Sequence, residues 1–140
     1  MAVHVLAVLA YKEGDRVTSA LLALSVNTNP VVVRRLLLAL QEAKLIETRK
    51  GAGFGSRLSC SPARINLAQV YRAVEQEESF AMARGKPNPA CPIGNCIQAE
   101  LERVFASAKS ALERDLARTT LAAILERVKT APSRRSLSTK

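Results

Sequence analysis

The sequence predicts a mainly α-helical chain with one small β-hairpin, and three observations carry that prediction. An Asn29-Pro30 helix start follows two short apolar segments, a glycine-rich hairpin follows that helix, and a long periodic segment follows a proline-rich stretch. At 140 residues the chain is long enough for one core with an extension, not for two full domains. It is 48% apolar, with two Tyr, three Phe and no Trp, so the core is aliphatic, and its Leu- and Ala-rich make-up favours helices.

Val3, Leu6, Ala7, Leu9 and Ala10 crowd one side of a first helix that stops near Tyr11, where the turn chemistry around Gly14 takes over. The helix begins abruptly at Met1, which leaves open whether a preceding strand or cap is missing. His4 stands alone on it, without the clustered partners a metal needs. Thr18 is placed to cap a second helix from Ser19 to Leu24, which Ser25 to Thr28 interrupts. Asn29 caps the third helix and Pro30 enters it with φ already helical, and the helix runs on through Ala43. Its apolar face is Val33, Leu36, Leu37 and Leu40, with Arg34, Arg35, Gln41 and Glu42 off that face. Two short helices, an abrupt turn and a stronger helix with paired arginines read as a helix-turn-helix, a spacing that ordinary all-α proteins also use.

The next segment separates these readings. Residues 45–49 and 57–60 pair as strands around a 50–56 tip in which Gly51, Gly53 and Gly55 permit tight, irregular backbone. A hairpin directly behind such a helix is a wing, and the fold class is a winged helix-turn-helix with a long appended helix. The basic flanks Arg49, Lys50 and Arg57 suit phosphates or a minor groove. A dinucleotide-binding loop is discounted, because that fingerprint needs a following helix and a βαβ unit, whereas Pro62 follows a strand here.

A fourth helix over 65–75 turns Leu67, Val70, Tyr71 and Val74 inward. Three prolines within residues 87–92 mark a linker. The longest periodic segment then runs from about Gly94 to Arg118, with Ile97, Leu101, Val104, Phe105, Ala108, Leu112 and Leu116 on one stripe. That stripe exceeds what so small a domain can cover, so a second copy of the chain is its natural partner, although packing on the chain's own first helix is compatible. Thr119 or Thr120 caps a last helix over 121–128. The expected organisation is a DNA-binding domain at 1–78, a linker at 79–93, the dimerisation helix and short terminal helix at 94–128, and a disordered basic tail at 129–140.

Charge placement agrees with this division. Residues 1–64 hold nine Lys/Arg against four Asp/Glu, residues 65–128 hold eight of each, and the last twelve residues add four basic groups, for a net charge of +9. A basic first segment points to a polyanion or to a solvated basic face. The longest apolar run, Val5 to Ala10, is far below the roughly 18 residues of a membrane span, and no signal-peptide pattern is present, so a cytoplasmic protein is expected. An enzyme is not indicated, because the chain has one histidine, no Cys-x-x-Cys and no recognisable pair of catalytic carboxylates.

The string from Ser25 to Leu37, the Gly51-Ala52-Gly53-Phe54-Gly55 tip, and Asn88-Pro89-Ala90-Cys91-Pro92-Ile93-Gly94 before a long helix together resemble the Rrf-type family of bacterial transcription regulators. The resemblance spans residues 2 to about 128. It implies a homodimer joined by the long helix, a third helix in the DNA major groove, a wing over the flanking minor groove, and control of transcription, most often repression. It carries the reading helix onto Asn27, Thr28, Asn29, Arg34 and Arg35, and the wing onto Lys50 to Arg57. Arg34 or Arg35 is favoured for base contact, because guanidinium forks onto guanine, and Ser19 is placed for a phosphate.

Two departures stand out. Many relatives bind an iron-sulfur cluster through three cysteines before and into the long helix. Here only Cys91 and Cys96 occupy that region and Cys60 lies on a wing strand, so no cluster, no metal and no other cofactor are expected. Phe54 stands where relatives carry glycine, either as a wedge for a DNA groove or as a cover for the hairpin. Cys91 and Cys96 have two readings. One is a thiol switch in a mobile loop and at a helix start. The other is a Cys-Pro-x-Gly turn followed by a small packing residue. A regulator that works mainly through a protein partner, such as a metabolic enzyme bound to the neutral middle, is the alternative function.

Overall fold

The computed structural model describes residues 1–12, 14–75, 85 and 87–131. Helix α1 (Ala2–Tyr11) buries Ala2, Val5, Leu6 and Leu9, which fall at i, i+3, i+4 and i+7. The expected stripe through Val3, Ala7 and Ala10 is only half-buried. The buried face is turned because other elements surround this helix, and Val5 and Leu6 are wholly enclosed.

Helix α2 (Ser19–Val26) starts as the sequence predicts, with the Thr18 hydroxyl accepting from the Leu21 amide at 3.2 Å. Such a cap is worth about 1 kcal/mol. The helix stops at Asn27, whose φ of 52° is left-handed, a conformation that Asn tolerates better than most residues. Helix α3 (Pro30–Glu42) starts two residues further on, with Asn29 Oδ1 accepting from the Val31 amide at 2.8 Å. The two helices meet at 109°, within the helix-turn-helix range. Val33, Leu37 and Leu40 anchor α3, and burying a side chain such as Leu40 contributes about 1.5–3 kcal/mol.

Strands β1 (Ile46–Arg49) and β2 (Gly55–Leu58) form the antiparallel wing, with Ile46 opposite Leu58 and Arg49 opposite Gly55. The strands lie closer to the tip than expected. Leu45 is buried beneath the sheet, Ser59 and Cys60 fall outside it, and Gly55 and Ser56 belong to β2. The physical reason is a pairing with no local sequence signal: Val17 and Ser56 exchange backbone N–H···O bonds, both of 2.8 Å, and so draw β2 toward the start of α2. Ser56 is the one buried polar side chain among the described residues, and its hydroxyl lies 3.0 Å from that of Thr48.

A 3-10 turn (Pro62–Arg64) leads into α4 (Leu67–Val74), which is closed by a reciprocal capping box between Asn66 and Gln69. Ala68 and Val70 are its buried residues, while Leu67, Tyr71 and Val74 are half-buried. Residues 79–84 and Lys86 of the expected linker lie outside the described residues, as do Glu13, residues 76–78 of the expected DNA-binding domain and residues 132–140 of the expected tail.

The long helix α5 (Pro92–Ala117) begins two residues before the expected Gly94, with Cys91 at its N-cap and Pro92 at its first position. Gly94 fits this entry because a Cβ there would sit 2.8 Å from the Asn88 carbonyl oxygen. Helix α6 (Leu121–Thr130) is capped by Thr120 and extends past the expected 128, so Lys129 and Thr130 are helical. It does not form a unit with α5. Leu121 is fully buried in the N-terminal core, and its amide donates to the Ile65 carbonyl at 2.8 Å. Leu67 likewise donates to Thr119 at 2.9 Å, so the chain returns from α5 to close the winged domain.

Candidate nucleic-acid interface

The turn at Asn27, Thr28 and Asn29 leads into α3, whose outer face shares a groove with the wing. A groove of about 500 Å³ between α3 and the wing is lined by Ser19, Arg34, Leu38, Arg49, Lys50 and Phe54, among others. This brings five of the expected contact residues, Ser19, Arg34, Arg49, Lys50 and Phe54, together around one depression, whereas Asn27, Thr28, Asn29, Arg35, Gly53 and Arg57 do not line it. Arg34, Arg35, Arg49 and Lys50 are exposed and pair with no carboxylate among the described residues. Three uncompensated cations lining a groove, with Arg35 next to one of them in the chain, make a strong local positive field.

Arg57 differs. It stands opposite Glu47 in the strand register and donates to Glu47 Oε2 through Nε at 3.1 Å and Nη2 at 3.0 Å. Arg16 also approaches that oxygen, at 3.9 Å, and donates from Nη1 to the Gly55 carbonyl at 3.3 Å. An exposed pair of this kind adds only about 0.2–1 kcal/mol. Its effect is to hold the wing against the segment before α2. Arg16 and Glu47 were not singled out from the sequence. Glu47 is recoverable once the strand register is known, whereas Arg16 lies 39 residues from its partner Gly55 and has no local signature.

At the tip, Gly51 and Gly53 have φ of +80° and +72°, with open space where a Cβ would go. Phe54 projects from the tip and is 62% exposed, so it covers little of the hairpin. On α3, Val31, Val32 and Leu38 are also exposed, which agrees with their lying off the expected Val33, Leu36, Leu37 and Leu40 face. His4 is exposed and its Nε2 lies 3.2 Å from the Ser25 hydroxyl, away from any metal-binding group among the described residues.

The long helix carries a second surface. No residue of α5 is buried; Ile97, Leu101, Val104 and Leu112 are exposed, and Phe105 and Ala108 are half-buried. Ile93, one turn before Ile97, extends the stripe. Ion pairs fix α5 to α4: Arg72 with Glu113 at 2.7 Å and Lys109 with Glu75 at 3.1 Å, and Glu75 also accepts from the Tyr71 hydroxyl. The hydrogen bond and charge of Glu75 hold the Lys109 ammonium above the ordinary lysine range.

Cys91 and Cys96 are both exposed at the start of α5. Cys60 is half-buried in a separate groove with Leu9, Pro62 and Leu125. The three thiols do not converge, and no group of three or more His, Cys, Asp or Glu among the described residues is placed to hold a metal ion. The donor set therefore does not fit an iron-sulfur cluster held by three cysteines.

No single helix among the described residues is long and apolar enough to cross a membrane. The family model described as Rrf2, iron-dependent transcriptional regulator, matches residues 1–127. YwnA of Bacillus subtilis (strain 168), named as an HTH-type transcriptional regulator, is 40% identical over 121 residues, covering 86% of this chain and 89% of its own. A crystal structure described as that of a DNA binding protein is 38% identical, with a TM-score of 0.71, over 89% of this chain and 95% of the other. The T. potens IscR structure, at 20% identity and a TM-score of 0.68 over 96% and 88% of the two chains, shares the fold. With the family model matching nearly the whole chain, from the winged helix through the long helix α5, the chain belongs to the Rrf2 family of transcriptional regulators.

Proposed function

We propose that this regulator is a cytoplasmic homodimer that represses transcription by placing α3 in the major groove of a DNA operator and its wing over the adjacent minor groove. The observation that carries the reading is a set of unpaired cations: Arg34, Arg49 and Lys50 line the groove between α3 and the wing, and Arg35 is exposed next to Arg34 on α3. Arg34 or Arg35 is assigned to a base edge, since a guanidinium forks onto guanine O6 and N7, and the other to a phosphate. Asn27, Thr28, Asn29 and Ser19 are assigned to the turn and phosphate contacts; Arg49, Lys50, Gly53, Phe54 and, with its charge shared by Glu47, Arg57 are assigned to the wing contacts. Dimerisation is assigned to the α5 stripe of Ile97, Leu101, Val104, Phe105, Ala108 and Leu112. Anisotropy titrations on the chain's own upstream region test the reading: Arg35→Ala is expected to lose discrimination between operator and random duplex, whereas Lys50→Ala lowers both affinities alike.

The regulator works without an iron-sulfur cluster in this reading, because the exposed Cys91 and Cys96 lack a third converging thiol. These thiols serve as the sensor. Each reduces one peroxide to water and becomes a sulfenic acid at the entry to the dimer helix, which alters the spacing of the two reading heads. Peroxide treatment is expected to weaken DNA binding reversibly; unchanged affinity with both thiols oxidised removes the switch. Action mainly through a protein partner would leave the cations of α3 and the wing without a role, which favours DNA.

A further inference from the structure

The recognition surface of α3 is not purely cationic. Val31, Arg34, Arg35 and Leu38 are spaced i, i+3, i+4 and i+7, so they share one face of the helix, opposite the buried Val33, Leu37 and Leu40. Val31 is 57% exposed and Leu38 is 61% exposed. Nothing in the folded chain accounts for an exposed β-branched residue here. Valine has a lower helix propensity than the alanine or glutamine that would serve equally well on a solvated face. Its cost to the helix has a use if the side chain meets an apolar group brought by the ligand. Its one strongly preferred helical rotamer also leaves little freedom to lose on binding.

Resting on the DNA-binding reading above, we infer that Val31, in the first turn of α3, reads the C5-methyl group of a thymine in the major groove, within one or two base steps of the guanine taken by Arg34 or Arg35. The charge on this face selects the occupant: two guanidinium groups flanking the apolar side chains, with Arg49 and Lys50 across the groove, suit a polyanion and not an apolar protein surface. Within a DNA major groove the apolar feature is the thymine methyl, and methyl-bearing side chains are its usual partners. The first turn of a recognition helix is the part that reaches base edges. One helical turn, about 5.4 Å, spans one to two base steps of about 3.4 Å, which sets the spacing between thymine and guanine.

The test uses the full chain and duplexes enriched by it from a random library. Each thymine of the enriched site is replaced in turn by deoxyuridine, which lacks only the C5-methyl. Beside the conserved guanine, one such exchange is expected to weaken binding about fourfold, the effect of exposing a single methyl group. In Val31→Ala that sensitivity disappears while the guanine preference stays; a circular dichroism spectrum and melting temperature matching the parent show that the variant is folded. Enrichment of a specific site in which every deoxyuridine exchange is neutral, or in which Val31→Ala keeps the full sensitivity, overturns the inference and leaves the DNA-binding reading intact. Failure to enrich any sequence overturns the DNA-binding reading itself, and the inference with it.

Discussion

Helices α3 and α5 both expose apolar side chains, and the difference in what surrounds them separates their roles. On α3 the exposed Val31 and Leu38 alternate with Arg34 and Arg35, and no acid among the described residues answers those charges. On α5 the stripe of Ile93, Ile97, Leu101, Val104 and Leu112 is continuous along the rod, while Arg72 and Lys109 beside it are matched by Glu113 and Glu75. Uncompensated charge around isolated methyl groups suits a polyanion with few apolar contacts. A continuous apolar stripe with its neighbouring charges settled suits a surface like itself.

The largest way to break this comparison is to charge the α5 stripe. Leu101→Asp is expected to convert a two-chain particle to one chain in light scattering. Operator affinity should fall by about 10²-fold or more, because two reading heads no longer bind as one ligand. Next is Arg35→Ala, expected to cost about 1–3 kcal/mol at one base pair of each half-site, measured as lost discrimination between operator and a duplex changed at that pair. Glu47→Gln, which frees Arg57 from its partner, is expected to leave base preference unchanged and to loosen the wing, seen as faster amide exchange over residues 46–58.

Gly55→Ala sharpens the comparison from the folding side. A Cβ there would lie 3.0 Å from the Val17 carbonyl at a φ of +131°, so the variant is expected to lose about 1–3 kcal/mol, read as a lower melting temperature, together with wing contacts. The smallest effect concerns Lys109. Its folded value is raised above the ordinary 10.5, so its ion pair with Glu75 contributes fully below that range and is lost as pH rises through the folded value. Stability is expected to hold from neutral pH upward and then decline above about pH 10.5 by more than in Lys109→Met, as followed by urea denaturation at each pH.

How much of this was legible in the sequence depended on range. The caps at Thr18 and Asn29, the Pro30 start and the apolar stripe of α5 are local signals, and each falls where its residues predict, while the glycine tip is shorter than the expected 50–56. What was missed is long-range. The Val17–Ser56 pairing, the reach of Arg16 to Gly55, and the return of α6 through Leu121 to Ile65 join segments that share no periodicity. On α3 the 3.6-residue period was legible too: Val33, Leu37 and Leu40 of the expected face are buried, and Val31 and Leu38, which lie off that face, are exposed.

The most direct test of the central claim is the salt dependence of binding to an enriched duplex. Two copies of the four unpaired cations, with six or more meeting phosphates, predict that log affinity falls against log salt with a slope of about −5 or steeper. The slope should become shallower by about two in Lys50→Ala, which removes one cation from each chain. A slope near zero, or one unchanged by that substitution, contradicts the assignment of α3 and the wing to DNA.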